Sequence, residues 1–226
     1  MLPLKDDNPT STFPYVTIGI IALNFLVYFY MLAIGPFGEE NMVARYAAVP
    51  ARLFGLAPDG GAPAYPTLIT SMFMHGGILH IGGNMLFLWI FGDNIEDYLG
   101  HLPYLLFYLA CGVAAAVAHG ITDTASTLPM LGASGAISGV LAAYMVLYPR
   151  ARVWTFFFFL FFWQVVRVPA VLIIGLWILL QFINGIASTG RQAMGGVAWF
   201  AHVGGFIAGL GMILVIRLVK RPKYIQ

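Results

Sequence analysis

The sequence predicts an all-α polytopic membrane protein of six transmembrane helices, with a short fourth helix at the centre of the bundle. Three observations carry that prediction. Of the 226 residues, 60% are hydrophobic and only 9% are charged, and the mean hydropathy of +0.86 is more than a water-soluble globule can bury. Apolar stretches long enough to cross a roughly 30 Å hydrocarbon core recur along the whole chain. The polar side chains inside those stretches are few and fall into groups.

Other classes are excluded by the same composition. The net charge of +2 comes from 11 basic and 9 acidic residues with no dense basic stripe, so nucleic acid is not a partner. A single cysteine, Cys111, rules out an internal disulfide and every multi-cysteine metal site.

Residues 1–14 carry Lys5, Asp6, Asp7, Pro9 and Pro14 and lack a short apolar core with a cleavage site, so they read as a cytosolic N-terminal tail. The first span runs from Tyr15 to Ile34. The connection from Gly35 to Pro66 is rich in Pro, Gly and Ala and belongs to the outer face, where so long a loop points to function. Spans two and three cover Ile78 to Tyr98 and Pro103 to Gly120. The fourth, Ser134 to Tyr148, is stopped by Pro149, Arg150 and Arg152. At 1.5 Å per residue it reaches only about 22 Å, so it begins below one membrane surface.

Val153 to Ala187 is too long for one span and the aromatic run Phe156 to Trp163 too short to cross alone, so Val153 to Val166 reads as an interfacial or shallow segment anchored by aromatics and arginines, ahead of a fifth span from Val168 to Ala187. Counting it as a span gives a rival seven-span topology with the C-terminus on the other side. Trp199 to Leu218 is the last span, closing a six-span domain over 15–218, and 219–226 is a basic cytosolic tail. Six spans put Lys5, Arg150, Arg152, Arg167, Arg217, Lys220, Arg221 and Lys223 inside and only Arg45, Arg52 and Arg191 outside, as the positive-inside rule asks.

Polar groups within spans are costly and mark function unless a structural partner explains them. Ser134 stands in Gly132-Ala133-Ser134-Gly135 at the start of the short helix, where flanking glycines admit a close approach and the helix N-terminus favours an oxyanion. A plain helix cap is the alternative for this serine. His202 lies inside the last span, sharing a helix face with Gly205 and Gly209, while Gly135 and Gly139 form a matching small pair on the short helix. Close packing of those faces brings Ser134 against His202. With an unperturbed pKa of about 6.5, the imidazole can take the serine proton and return it to a leaving amine.

Neither the short helix nor the last span contains Asp or Glu, so the expectation is a Ser–His dyad with its imidazole oriented by packing. His80 and Asn84, spaced i, i+4 on the second span, suit an oxyanion site beside the Ser134 N–H, or alternatively an interhelical polar clamp. Asn184 and Gln181 can bond across helices, and His119 reads as an interfacial histidine at a span end.

Taken in order, His75-Gly76-Gly77-Ile78-Leu79-His80 with Asn84, Gly92 with Glu96 and Gly100, Gly132-Ala133-Ser134-Gly135, and Ala201-His202 with Gly205 and Gly209 resemble the motifs of the rhomboid family of intramembrane serine proteases. The resemblance covers nearly the whole chain. It implies a six-helix rhomboid-like bundle of the minimal prokaryotic type, with Ser134 as nucleophile, His202 as general base, and His80, Asn84 and the Ser134 N–H lining the oxyanion hole. It also implies structural roles for Glu96 and His75 and a substrate gate on the fifth span at Trp177 and Gln181. Two features depart from the family: Ser138 stands where some members place an aromatic that stacks on the histidine, and Arg45 and Arg52 lack an adjacent tryptophan.

The activity so implied is endopeptidase cleavage of transmembrane protein substrates in or near their membrane segments, with membrane lipid as surroundings and without metal or organic cofactor. The expected location is a plasma (inner) membrane, with both termini cytosolic and the site open to the outer face. A catalytically inactive relative that binds or retains membrane proteins is one alternative. A small transporter or channel lined by His80, Asn84 and His202 is another.

Overall fold

The computed structural model describes residues 2–57, 64–159, 162–188 and 198–220, so Arg191, Arg221 and Lys223 lie outside the described residues. Strand β1 (Leu2–Asp6) leads to helix α1 (Tyr15–Ala33), followed by α2 (Gly35–Tyr46), α3 (Pro50–Leu53) and α4 (Thr67–Thr70). Helices α5 (Ile78–Leu99), α6 (His101–Thr122) and α7 (Ser134–Leu147) come next. Strands β2 (Arg152–Phe159) and β3 (Phe162–Pro169) precede α8 (Ala170–Ser188) and α9 (Trp199–Val219).

Burial is inverted relative to a soluble protein. Leu26, Phe29, Leu106, Leu172, Ile207 and Leu218 are exposed on the outside of the long helices, while Thr17, Asn24, Asn94, Glu96, Gln181 and His202 are buried within. Only an apolar solvent makes that arrangement favourable. Among the described residues four helices (α1, α6, α8 and α9) are long and apolar enough to span, and a fifth span is formed if the 67–73 segment and α5, bent by 96° at their break, count as one. The chain is therefore an integral multi-pass helical membrane protein. Helix α7 is apolar but only 14 residues long.

Helix α7 is the axis of the bundle. Gly135 through Tyr144 are all buried, and the helix packs against α5, α6, α8 and α9. Small residues on α7 allow this: a Cβ on Gly139 would strike Cys111 of α6, and one on Gly135 would stand 2.5 Å from the Ala115 Cβ.

Glu96 is wholly buried at the start of α1, whose N-cap makes no side-chain hydrogen bond of its own. Its carboxylate accepts from the Val16 N–H at 2.8 Å and the Thr17 N–H at 2.7 Å, and meets His101 Nδ1 at 2.6 Å. A carboxylate on α5 thus satisfies the orphan donors of α1. Gly92, one turn earlier, has Thr17 and the Tyr104 hydroxyl where a Cβ would be.

Three segments carry structure that the sequence reading did not specify. Residues 2–14 are tied to the rest of the fold: β1 pairs with β2, and the Asp97 carboxylate accepts from the hydroxyls of Ser11 and Thr12. In the Gly35 to Pro66 connection the described residues include helices α2 and α3, with Pro36 and Pro50 in their first turns, where proline's missing N–H costs nothing. Within Val153 to Val166, the segment read as interfacial or shallow, the described residues lie on the antiparallel strands β2 and β3, which with β1 form a three-stranded sheet in the order β1-β2-β3. Aromatic and β-branched residues there favour strands, and no described part of it forms a helix that would make a seventh span.

Candidate active site

Ser134 is the first residue of α7 and does not act as its cap: Ala133 holds the N-cap position, with no side-chain cap hydrogen bond. The serine Oγ instead lies 2.7 Å from Nε2 of His202. The two side chains meet because α7 and α9 touch through their glycines. A Cβ on Gly205 would collide with the Gly135 carbonyl, and one on Gly209 with the backbone of Gly139.

Gly132 shapes the approach to Ser134. Its φ of +125° disfavours any side chain, and a Cβ there would stand 2.8 Å from Nε2 of His80. The strand-like stretch before it is held by the Ala48–Met130 bridge and by the Gly132 N–H donating to the Ser71 carbonyl at 2.9 Å.

The imidazole is not oriented by packing alone, which corrects the sequence expectation. Nδ1 of His202 lies 2.6 Å from Oε1 of Gln181 on α8, and both residues are 8% exposed. With the amide oxygen accepting, Nδ1 carries the proton and Nε2 offers its lone pair to the Ser134 hydroxyl. The Trp177 ring is tilted 41° to the imidazole with centroids 5.5 Å apart, and Trp199 meets it edge-on at 6.4 Å. Ser138, where a stacking aromatic was missing, donates to the Ser134 carbonyl at 2.6 Å, so the aromatic contact comes from α8 and α9.

His80 and Asn84 lie on one face of α5 and line, with Ser134, Trp177 and His202, a cavity of about 660 Å³. Nδ2 of Asn84 is 2.8 Å from Nε2 of the buried His75, whose ring meets His80 edge to face at 5.0 Å. A larger cavity of about 740 Å³ lies among α2, α3 and residues 127–129, and it contains none of these paired groups. Chemistry, not size, marks the site.

The sequence reading placed Trp177 and Gln181 at a gate and missed their contact with His202. Their i, i+4 spacing puts them on one face of α8, but neither helix alone sets how α8 crosses the span that carries the histidine.

Fold and site together define a class, that of polytopic helical membrane proteins with a serine–imidazole pair recessed at the start of a short central helix. The chain belongs to the rhomboid family, whose Rhomboid domain profile matches residues 63–218. It is 35% identical over 136 residues to "Rhomboid protease GluP" of Bacillus subtilis, covering 60% of this chain and 24% of that protein. To the human "Presenilin-associated rhomboid-like protein, mitochondrial" it is 33% identical over 136 residues, covering 59% and 33%. To "Rhomboid protein 1, mitochondrial" of Saccharomyces cerevisiae it is 30% identical over 151 residues, covering 64% and 40%. The matched region thus spans from a quarter to two fifths of these relatives' lengths.

Proposed function

We propose that the chain is an intramembrane serine endopeptidase that hydrolyses peptide bonds in or near transmembrane segments of membrane proteins. The observation that carries this reading is the 2.7 Å contact between Ser134 Oγ and His202 Nε2 inside the bundle. As Ser134 attacks a carbonyl carbon, its proton passes to Nε2, and the imidazolium that forms is held at Nδ1 by Gln181. His80, Asn84 and the Ser134 N–H receive the oxyanion. The protonated imidazole then gives its proton to the departing amine, and water cleaves the acyl-enzyme.

A helical peptide bond is shielded by its own hydrogen bonds, so a substrate must unwind locally, and small or helix-breaking residues ease that step. Trp177 forms part of the cavity wall on α8, the side assigned to substrate entry. The six-span reading counts α1, the bent pair, α6, α7, α8 and α9, within a catalytic region over 15–218. Lys5, Arg152, Arg167 and Lys220 all lie in elements at the end of the bundle opposite Ser134. This supports cytosolic termini in a plasma (inner) membrane and a site open to the outer face.

The test is cleavage of a reconstituted single-span membrane protein in liposomes. Wild type is expected to release two fragments, with Ser134→Ala and His202→Ala inactive. Equal cleavage by Ser134→Ala removes the proposal.

A further inference from the structure

The β-sheet carries an apolar face that none of the described residues covers. Along β2, Arg152, Trp154, Phe156 and Phe158 share one side, because alternate residues of a strand point the same way. Cross-strand partners add Trp163 opposite Phe158, Val165 opposite Phe156, and Arg167 opposite Trp154. β1 adds Leu2 and Lys5 to this face. The opposite face carries Val153 and Thr155, both fully buried against the bundle.

On the outward face Trp163 is 77% exposed, Phe158 64%, Leu2 48% and Val165 45%. Water is a poor solvent for such a surface, and an exposed apolar face of this kind marks contact with something apolar. Its position identifies the partner. β3 passes into α8 without a loop, and α8 exposes Leu172 in its first turn and Leu176 in its second, so the lipid-facing surface of a spanning helix runs on into the sheet. The charges agree: Lys5, Arg152 and Arg167 gather at the helix-proximal end of the same face, with the Arg167 guanidinium 4.7 Å from the Trp154 ring centroid. Cations beside aromatic side chains fit the headgroup level of an anionic leaflet.

We infer that the outward face of this sheet lies in the lipid interface of the leaflet opposite Ser134, with the Phe158–Trp163 end seated among the acyl chains and Lys5, Arg152 and Arg167 on anionic headgroups. The sheet anchors the C-terminal end of α7 and the start of α8 against the bilayer, independently of any proteolysis.

Nitroxide labels report the depth. Cys111 is buried, so a Cys111→Ala background carries the label at Val165→Cys on the outward face or at the exposed Gln164→Cys on the other. In liposomes of phosphatidylcholine and phosphatidylglycerol, the label at 165 is expected to collide several-fold more with oxygen than with a water-soluble nickel chelate, and the label at 164 to show the reverse. Equal chelate access at both positions overturns the inference, and so does exclusion of both reagents at 165, which would mean cover by protein. A second measurement avoids cysteine: emission lost on Trp163→Phe should be quenched by brominated lipid in otherwise wild-type protein. Quenching of that emission by aqueous iodide instead contradicts lipid contact.

Discussion

Nδ1 of His202 lies 2.6 Å from Oε1 of Gln181, so an uncharged amide on α8 occupies the place where a carboxylate completes a Ser-His-Asp triad. The amide fixes the tautomer without burying a charge in the membrane.

Gln181→Leu is therefore expected to lower kcat about 10- to 100-fold, the worth of one hydrogen bond to a group that becomes charged in the transition state. KM should change little. Gln181→Glu keeps an acceptor and should recover much of the loss, which a role in packing alone does not predict. Steady-state cleavage of a transmembrane substrate by the three proteins separates the cases.

Gly205→Ala places a Cβ on the Gly135 carbonyl, next to Ser134, whereas Gly211 has nothing within 4 Å of such a Cβ. The first substitution should destabilise the fold by about 1–3 kcal/mol through overpacking and part the Ser134–His202 pair. Gly211→Ala should stay within about 0.5 kcal/mol of wild type. Thermal unfolding in detergent, read beside activity, compares the two.

Removing the Glu96 carboxylate leaves the Val16 and Thr17 N–H groups without their acceptors. Glu96→Ala is expected to cost about 2–5 kcal/mol, with Glu96→Gln milder because one acceptor oxygen remains. A lowered unfolding midpoint with an unaltered active site in the surviving folded fraction is the expected pattern.

Burial pushes the Asp6 carboxyl from 3.8 up to about 6, against the hydrogen bond donated by Tyr144 at 2.5 Å and with a smaller push from Asp7. The folded chain thus holds this proton more tightly than the unfolded one. The associated stability is fully present below about pH 4 and is lost as pH rises through about 6. Asp6→Asn should flatten that part of the stability–pH curve and gain on the order of 1–2 kcal/mol at pH 7, once screening of its exposed part is allowed for. Unfolding midpoints of both proteins across pH 4 to 7 measure it.

The long helices were legible because each presents apolar residues to lipid and small or polar ones to its neighbours, and their observed ends fall within two residues of the expected ones. Ser134 and His202 were legible because both lie among glycines at spacings that let helices touch. The sheet was not: alternating aromatics in a continuous apolar run give no period that separates a strand from a shallow helix, and pairing with a strand more than 140 residues earlier leaves no local mark. The Gln181 contact was hidden for a similar reason, since the crossing of α8 and α9 sets it, not either helix alone.

A Ser134 nucleophile activated by His202 as its base should react with a fluorophosphonate, which labelling of the purified, detergent-solubilised protein reads out. Wild type should become covalently labelled, with labelling lost in both Ser134→Ala and His202→Ala. A folded wild type that takes no label, or a Ser134→Ala protein that labels as wild type does, contradicts a catalytic role for the Ser134–His202 pair.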